Sequence, residues 1–494
     1  MANRRAAAVV KRWTGCAAIA LLLGAGGIDA ARATTLQEAL LATYQGNPTL
    51  TGQRAQLRAT DENAAIARSQ GRPQINGNAQ FTQGLSGLPS VQGYNRALTA
   101  GATVSLPIFQ GGRVRNAIRA ADTRVEGGRA DLRAVEGDVF VDAVTAYMDV
   151  LRDRAIVRLN ANNVKVLETN LQATQDRFQV GDVTRTDVAQ SQARLELGRS
   201  QLAAAQASLV ASEENYRRVI GSEPTDLETP PPLPTLPATP DAAEDTAIAS
   251  NPAIASAEAA VEAAHYDVSA ARGERLPTIS LSGGENYFNY LNSVPGGLGI
   301  GGPSDHGDYS SVGVTATIPF YQGGGPGARV RQAQANESQA MEQKTAVERQ
   351  VVANTRAAFS SYDASLDTIN SSEVAVKANT LALEGTRAEN SVGTRTVLDV
   401  LNAEQELLNS QVTLVTARHD AYVAGFALLN AMGLVNYKHL GLVGGTLYDP
   451  TIHYRHSIHA LSDFDEDPKP RPVAKPTYGP QLPAENPPVT PAAK

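Results

Sequence analysis

Residues that could do chemistry are few in this sequence, and most fail on context. Gly297, Gly299 and Gly302 fit the phosphate-cradling pattern G-x-G-x-x-G. Such a loop has to open a helix, whereas this one falls between two strand-like segments, so nucleotide binding is set aside. No Walker-A segment and no H-E-x-x-H occurs. His453, His456 and His459 are spaced by three, which is open to a weak metal site, but they read better as a solvated tail with no ligand role. No nucleophile stands at a readable distance from a base, so no catalysis, cofactor or metal is expected. What remains is electrostatic. Arg395 and Asp399 are four residues apart, and taken alone they read as an exposed helix pair worth about a few tenths of a kcal/mol. The alternative needs several copies of the chain. A ring of like carboxylates in a narrow pore attracts cations and repels itself, so closing it takes donors such as Arg395.

The element carrying this pair is written twice. Arg177 to Gly221 is echoed by Glu389 to Gly433, with Gly181 matching Gly393 and Gly221 matching Gly433, both 212 residues apart. In the first copy Val188, Leu195, Leu202, Leu209 and Tyr216 recur every seventh residue, followed three further on by Ser191, Gly198, Ala205, Ser212 and Val219. Val400, Leu407, Leu414, Ala421 and Leu428 repeat the pattern, with Ala403, Ser410, Ala417, Ala424 and Ala431 beside them. A strict seven-residue period predicts left-handed coiled coil. The partner helices lie upstream, on Val150, Val157, Val164, Leu171 and Phe178, and on Tyr362, Ile369, Val376 and Leu383. Each half therefore holds a long antiparallel hairpin (about 113–220 and 327–432), turned at 180–186 and 392–398. From Arg115 to Gly181 the helix reaches ~100 Å at 1.5 Å per residue, so the hairpins must project into water.

Between the helices the period changes to two. Ile75, Gly77, Ala79 and Phe81 alternate with Gln74, Asn76, Asn78, Gln80 and Thr82, and Leu98, Ala100, Ala102, Val104 and Leu106 do the same in the next segment. The second half repeats this with Ile279, Leu281 and Gly283, then Val312, Val314, Ala316 and Ile318. Strands are expected at about 73–83, 96–107, 277–288 and 309–319. One face is apolar, and the other is Ser, Thr, Asn and Gly without the charge of a solvated sheet, which is the pattern of a transmembrane barrel strand. Four strands cannot close a barrel and open edges are not tolerated in lipid, so copies must pool their strands. Periodicity alone does not choose between two copies and three. Pro107 and Pro319 are expected to end the ladders.

The chain has 494 residues, 5% aromatics and a net charge of −7. Much of its apolar content is Ala, which suits layered helices better than a Phe-rich core, and the acidity gives no reason to expect nucleic acid as a partner. Residues 1–33 read as a secretory signal: Arg4, Arg5, Lys11 and Arg12 precede an apolar run, and Ala31-Arg32-Ala33 supplies a cleavage site. Cys16, the only cysteine, lies inside it. Asn47-Pro48 and Asn251-Pro252 each mark one helix ending and the next beginning. The halves, 34–221 and 241–433, are joined by a Pro-rich extended linker at 222–240. A non-repeated tail, 434–494, reads as disordered from about 468.

The paired halves, the two Asn-Pro junctions, LPIFQGG and IPFYQGGG, RFQVGDVTRTDV and SVGTRTVLDVL resemble the TolC family of outer-membrane efflux channels over roughly residues 35–433. LYDPTIHYRH (447–456) looks like a tail of its alphaproteobacterial members. The resemblance implies a mainly α fold with a small β part: a homotrimer, with a twelve-strand barrel in outer-membrane lipid continuous with a periplasmic α-helical barrel. It also implies a passive exit duct of a tripartite efflux pump or type I secretion system. Docking would run through a periplasmic adaptor to an inner-membrane RND or ABC transporter, with Val180, Gly181, Val392, Gly393 and Thr394 at the docking tips. Arg395 falls on the family's gate arginine, Thr186 and Asp187 on positions of the first hairpin near its partners, and Asp399 on the first of two aspartate rings. The second ring falls on Asn402 and the gate tyrosine on Asn390, departures that alter ion preference and closure. The competing expectations are a periplasmic adaptor, or a structural protein bridging the envelope without a channel.

Overall fold

The computed structural model describes residues 34–85, 96–292, 304–442, 447–474 and 476. The signal segment, the glycine-rich 297–302 stretch and most of the tail assigned to disorder lie outside them. Helix α1 (Leu36–Gly46) starts at a capping box in which Thr35 and Glu38 satisfy each other's backbone N–H. It ends at Asn47, whose side chain caps α2 (Pro48–Ser69) by accepting from Thr49 and Leu50 N–H. The second half repeats the arrangement in α5 (Pro240–Ser250) and α6 (Pro252–Gly273), capped by Asn251. Each asparagine does a second job. Asn47 Nδ2 donates to the Val219 carbonyl at 3.0 Å, and Asn251 Nδ2 to the Ala431 carbonyl at 2.8 Å. The junction is thus tied to the end of the returning coiled-coil helix in both halves.

The strands β1 (Gln74–Gln83), β2 (Arg96–Gln110), β3 (Thr278–Asn289) and β4 (His306–Thr317) form one antiparallel sheet in the order β1-β2-β3-β4. Register places the apolar sets of all four on one face: Ile75 pairs with Val104, Val104 with Gly283 and Gly283 with Val312. Pro107 does not end its ladder. β2 runs on to Gln110, with a register shift between Pro107 and Phe109 that absorbs the missing N–H. β4 does stop short, at Thr317, ahead of Pro319.

The two longest helices, α3 (Arg113–Gln179) and α7 (Gly325–Ser391), have 67 residues each, or ~100 Å. They fold back through α4 (Arg185–Ile220) and α8 (Val397–Ala431). Every position of both heptad rows in α4 and in α8 is buried or half-buried. Gly198 makes room for α3 against α4, since a Cβ there would meet Leu167 Cδ1 at 2.8 Å. The main core lies at the helix junctions, around Tyr44, Phe140, Tyr147, Tyr216 and Leu428. The linker docks on it, with Leu227 buried and the Pro231 carbonyl accepting from the Tyr422 hydroxyl at 3.0 Å. Among the described residues, no helix is long and apolar enough to cross a membrane.

The tail corrects one expectation. It contains α9 (Pro450–His459), which packs on α2. His453 is not solvated but half-buried, with Nδ1 3.2 Å from Oδ2 of the fully buried Asp61. A buried carboxylate needs such a donor. His456 and His459 are exposed. Burial pushes the Asp61 carboxyl up, and the hydrogen bond from His453 partly offsets this.

Candidate gate and membrane-facing sheet

Both hairpin tips are built from the same two devices. Gly181 (φ +78°) and Gly393 (φ +82°) adopt the left-handed conformation that ends the outgoing helix. Around Gly181, its N–H and that of Asp182 donate to the Phe178 and Arg177 carbonyls; around Gly393, its N–H and that of Thr394 donate to Asn390 and Glu389, which is a Schellman motif in each case. The returning helix then opens on a capping box, Thr184 with Asp187 and Thr396 with Asp399. The turns are therefore shorter than the sequence suggests, and Thr186 lies within α4.

These motifs account for what the candidate gate residues touch. Asp399 Oδ2 accepts from the Thr396 N–H at 3.0 Å and hydroxyl at 2.7 Å. Those bonds, with Arg395 nearby, hold its carboxyl below the usual range. Asp187 makes the matching bonds to Thr184. Arg395 pairs with Glu389, Nε to Oε2 at 2.8 Å, and not with Asp399; that partner raises its pKa. The Arg395 carbonyl accepts from Asn390 Nδ2 at 2.8 Å. Of the gate set, only Asn402 reaches the other hairpin, its Oδ1 accepting from Arg194 of α4 at 2.6 Å. Val180, Gly181, Val392, Gly393 and Thr394 are all exposed at the tips, with Val180 81% and Val392 73% accessible.

The heptads missed a second buried stripe on α8. Leu401, Glu404 and Leu408 are buried although none lies in the two seven-residue rows. Val397 and Leu401 pack with Val164, Leu167, Leu171, Leu195 and Leu202 of the first hairpin. Glu404 takes hydrogen bonds from Asn170 of α3 and from Arg387 of α7. The readable signal was apolar residues at 401 and 408, one position past the seam. Farther up, His419 of α8 lies between Asp149 of α3 (3.0 Å) and Asp420 (2.8 Å).

At the other end of the molecule the sheet exposes its apolar face, including Ile75, Phe81, Val104, Val312 and Val314. Glu285 shares that face, between Ala102 and Ser310, and accepts from the Ser310 hydroxyl. In lipid a carboxylate so placed needs this partner.

A family model described as "Outer membrane efflux protein" matches residues 39–222 and 244–434. The chain is 36% identical over 427 residues to the outer membrane efflux protein BepC of Brucella suis, covering 86% of this chain and 91% of that protein. It is 27% identical over 429 residues to the outer membrane protein TolC of Escherichia coli, covering 84% and 86%. The solved structure of the outer membrane protein VceC from Vibrio cholerae superposes with a TM-score of 0.69 at 22% identity, over 81% of this chain and 96% of that one. Duplicated hairpins, a four-strand sheet with an exposed apolar face and these likenesses lead to one assignment. The chain belongs to the outer membrane efflux protein family, as a channel protein of the outer membrane that serves as an efflux or secretion exit duct.

Proposed function

We propose that three copies of this chain assemble into one duct, whose twelve-strand barrel lies in the outer membrane and whose α-helical barrel extends into the periplasm. It conducts solutes passively from an inner-membrane RND or ABC transporter, handed over through a periplasmic adaptor that docks on the exposed tips. It couples no energy source and catalyses no reaction. The two repeat units, 34–221 and 241–433, act as near-equivalent staves of the wall. In this reading Arg395, Asp399 and Asn402 line the periplasmic constriction, with Thr186 and Asp187 on the neighbouring hairpin.

A single observation carries the assembly. α3 and α7 are matching 67-residue helices, yet α3 buries 22 residues and α7 only 5. Among the described residues α3 packs along both α2 and α6, whereas of these two helices α7 packs along α6 alone. The α2 of another copy supplies the second cover, and the same contact brings β4 of one copy to β1 of the next, leaving no open edge in lipid.

Reconstitution into planar bilayers tests the duct, and native mass spectrometry in detergent tests the count. Discrete conductance steps and a three-chain particle are expected. A monomer that leaves the bilayer silent sinks the proposal.

A further inference from the structure

The tail helix α9 ends in a turn that neither the hairpins nor the gate use. Its last carbonyls, Ile458 and Ala460, accept from Arg72, Nη2 at 2.8 Å and Nη1 at 2.9 Å. Arg72 stands just ahead of Pro73 and of β1, which starts at Gln74. Gly71 lies against Val114 of α3 and Gln74 pairs with Ser105, so Arg72 is level with the stretch that holds Ile108 and Phe109. There the sheet gives way to the helices, and there Phe109, Phe320 and Tyr321 are exposed, the aromatic marking of a membrane boundary. Resting on the sheet's place in the membrane, and not on the three-copy count, we propose that residues 461–465 form an interfacial anchor. It seats Leu461 and Phe464 among zwitterionic headgroups of the inner leaflet.

The turn is held in shape by its own bonds. Beyond α9 the Phe464 N–H donates to Ser462 Oγ at 3.2 Å and the Asp465 N–H to the Ser462 carbonyl at 3.5 Å. The chain then doubles back, bringing Asp467 Oδ2 to 3.6 Å from His453 Nε2, while Nδ1 of the same ring faces Asp61 on α2. Both ends of the loop are therefore tied to the helical layer, and between them Leu461 is 80% and Phe464 94% exposed. Held outward beside a lipid boundary, these two side chains leave water only by entering it. Charge chooses the surface. Asp463, Asp465 and Glu466 flank the pair and are exposed, so a strongly anionic surface would repel the turn. The ammonium of a zwitterionic headgroup meets the carboxylates instead. So seated, α9 braces α2 against the lipid surface and fixes how deep the sheet sits.

Tryptophan fluorescence tests the anchor, because the sole native tryptophan, Trp13, lies in the segment read as an export signal. Phe464→Trp reports on the turn, Val312→Trp on the apolar face of β4 and Val392→Trp on a hairpin tip, all three exposed sites. Each protein is reconstituted in vesicles of phosphatidylethanolamine and phosphatidylcholine, some of the lipid brominated near the headgroup, with the wild type as blank. The probe at 464 should emit to the blue of the tip probe and lose intensity to the brominated lipid, as the probe at 312 does. Adding Leu461→Asp should return the 464 emission to that of the tip. A 464 probe that emits like the tip while the 312 probe is quenched overturns the anchor and leaves the sheet in lipid. A blue-shifted 464 probe that brominated lipid does not quench has docked on a neighbouring copy, which also overturns it. If the 312 probe escapes quenching, the sheet itself lies outside lipid and the anchor falls with it.

Discussion

Asp399 and Asp187 show how one side chain serves local folding before any pore exists. Each is the third residue of its helix and closes a capping box, which is why the pattern T-x-x-D appears at 184–187 and 396–399. An aspartate repeated at matching positions thus has a local cause, independent of its proposed place in a gate. His419 adds a tertiary cause, Asp149 of α3, to its sequence neighbour Asp420. Burial would lower its pKa, but the carboxylates of Asp149 and Asp420 outweigh burial and the nearby Arg152, and the net shift is upward. Asp149 would be raised by burial, but His419 and Arg152 hold it lower. The α3–α8 link is therefore fully present below the ordinary histidine value of about 6.5 and fades as pH rises through the elevated one. Thermal unfolding followed by circular dichroism should show stability falling across that rise, and His419→Gln should flatten the dependence. An unchanged pH profile in the variant would mean that the pair contributes nothing.

At the scale of elements, the tips depend on one glycine each. A β-carbon at the positive φ of Gly181 or Gly393 costs about 1 kcal/mol, and neither site offers a neighbour to hold it in compensation. Gly393→Ala should speed amide exchange through the last turn of α7 and the first of α8, leaving the core at Tyr44 and Phe140 protected. Equal protection in both proteins would show that the turn tolerates the change. The strands teach the complementary point. Their alternation was plain, yet Pro107 sits inside a ladder and Pro319 just beyond one. A proline breaks pairing only where its N–H faced a partner, and a one-residue bulge at Pro107 removes that demand.

For the whole molecule, what matters is what a single chain leaves uncovered. Val374 and Leu381 of α7, seven residues apart, are 65% and 70% exposed, a heptad-spaced apolar stripe on a helix with few buried residues. Exchanging both for arginine should abolish the three-chain particle while helical content per chain holds. A trimer that survives the double change would place the subunit contact on another face.

The sequence alone specified the periods: seven for the hairpins, two for the strands, the 212-residue echo, and the Asn-Pro and Gly signals that punctuate them. These are properties of neighbours along the chain, so residue order is enough to read them. It could not show that α8 buries Glu404 between Leu401 and Leu408, that His453 leaves the tail to meet Asp61, or that Asn170 and Glu404 meet across 234 residues. Those contacts depend on how separately folded helices are set side by side. That placement is fixed by packing and by the demand of buried polar groups for partners, and only the tertiary structure decides it.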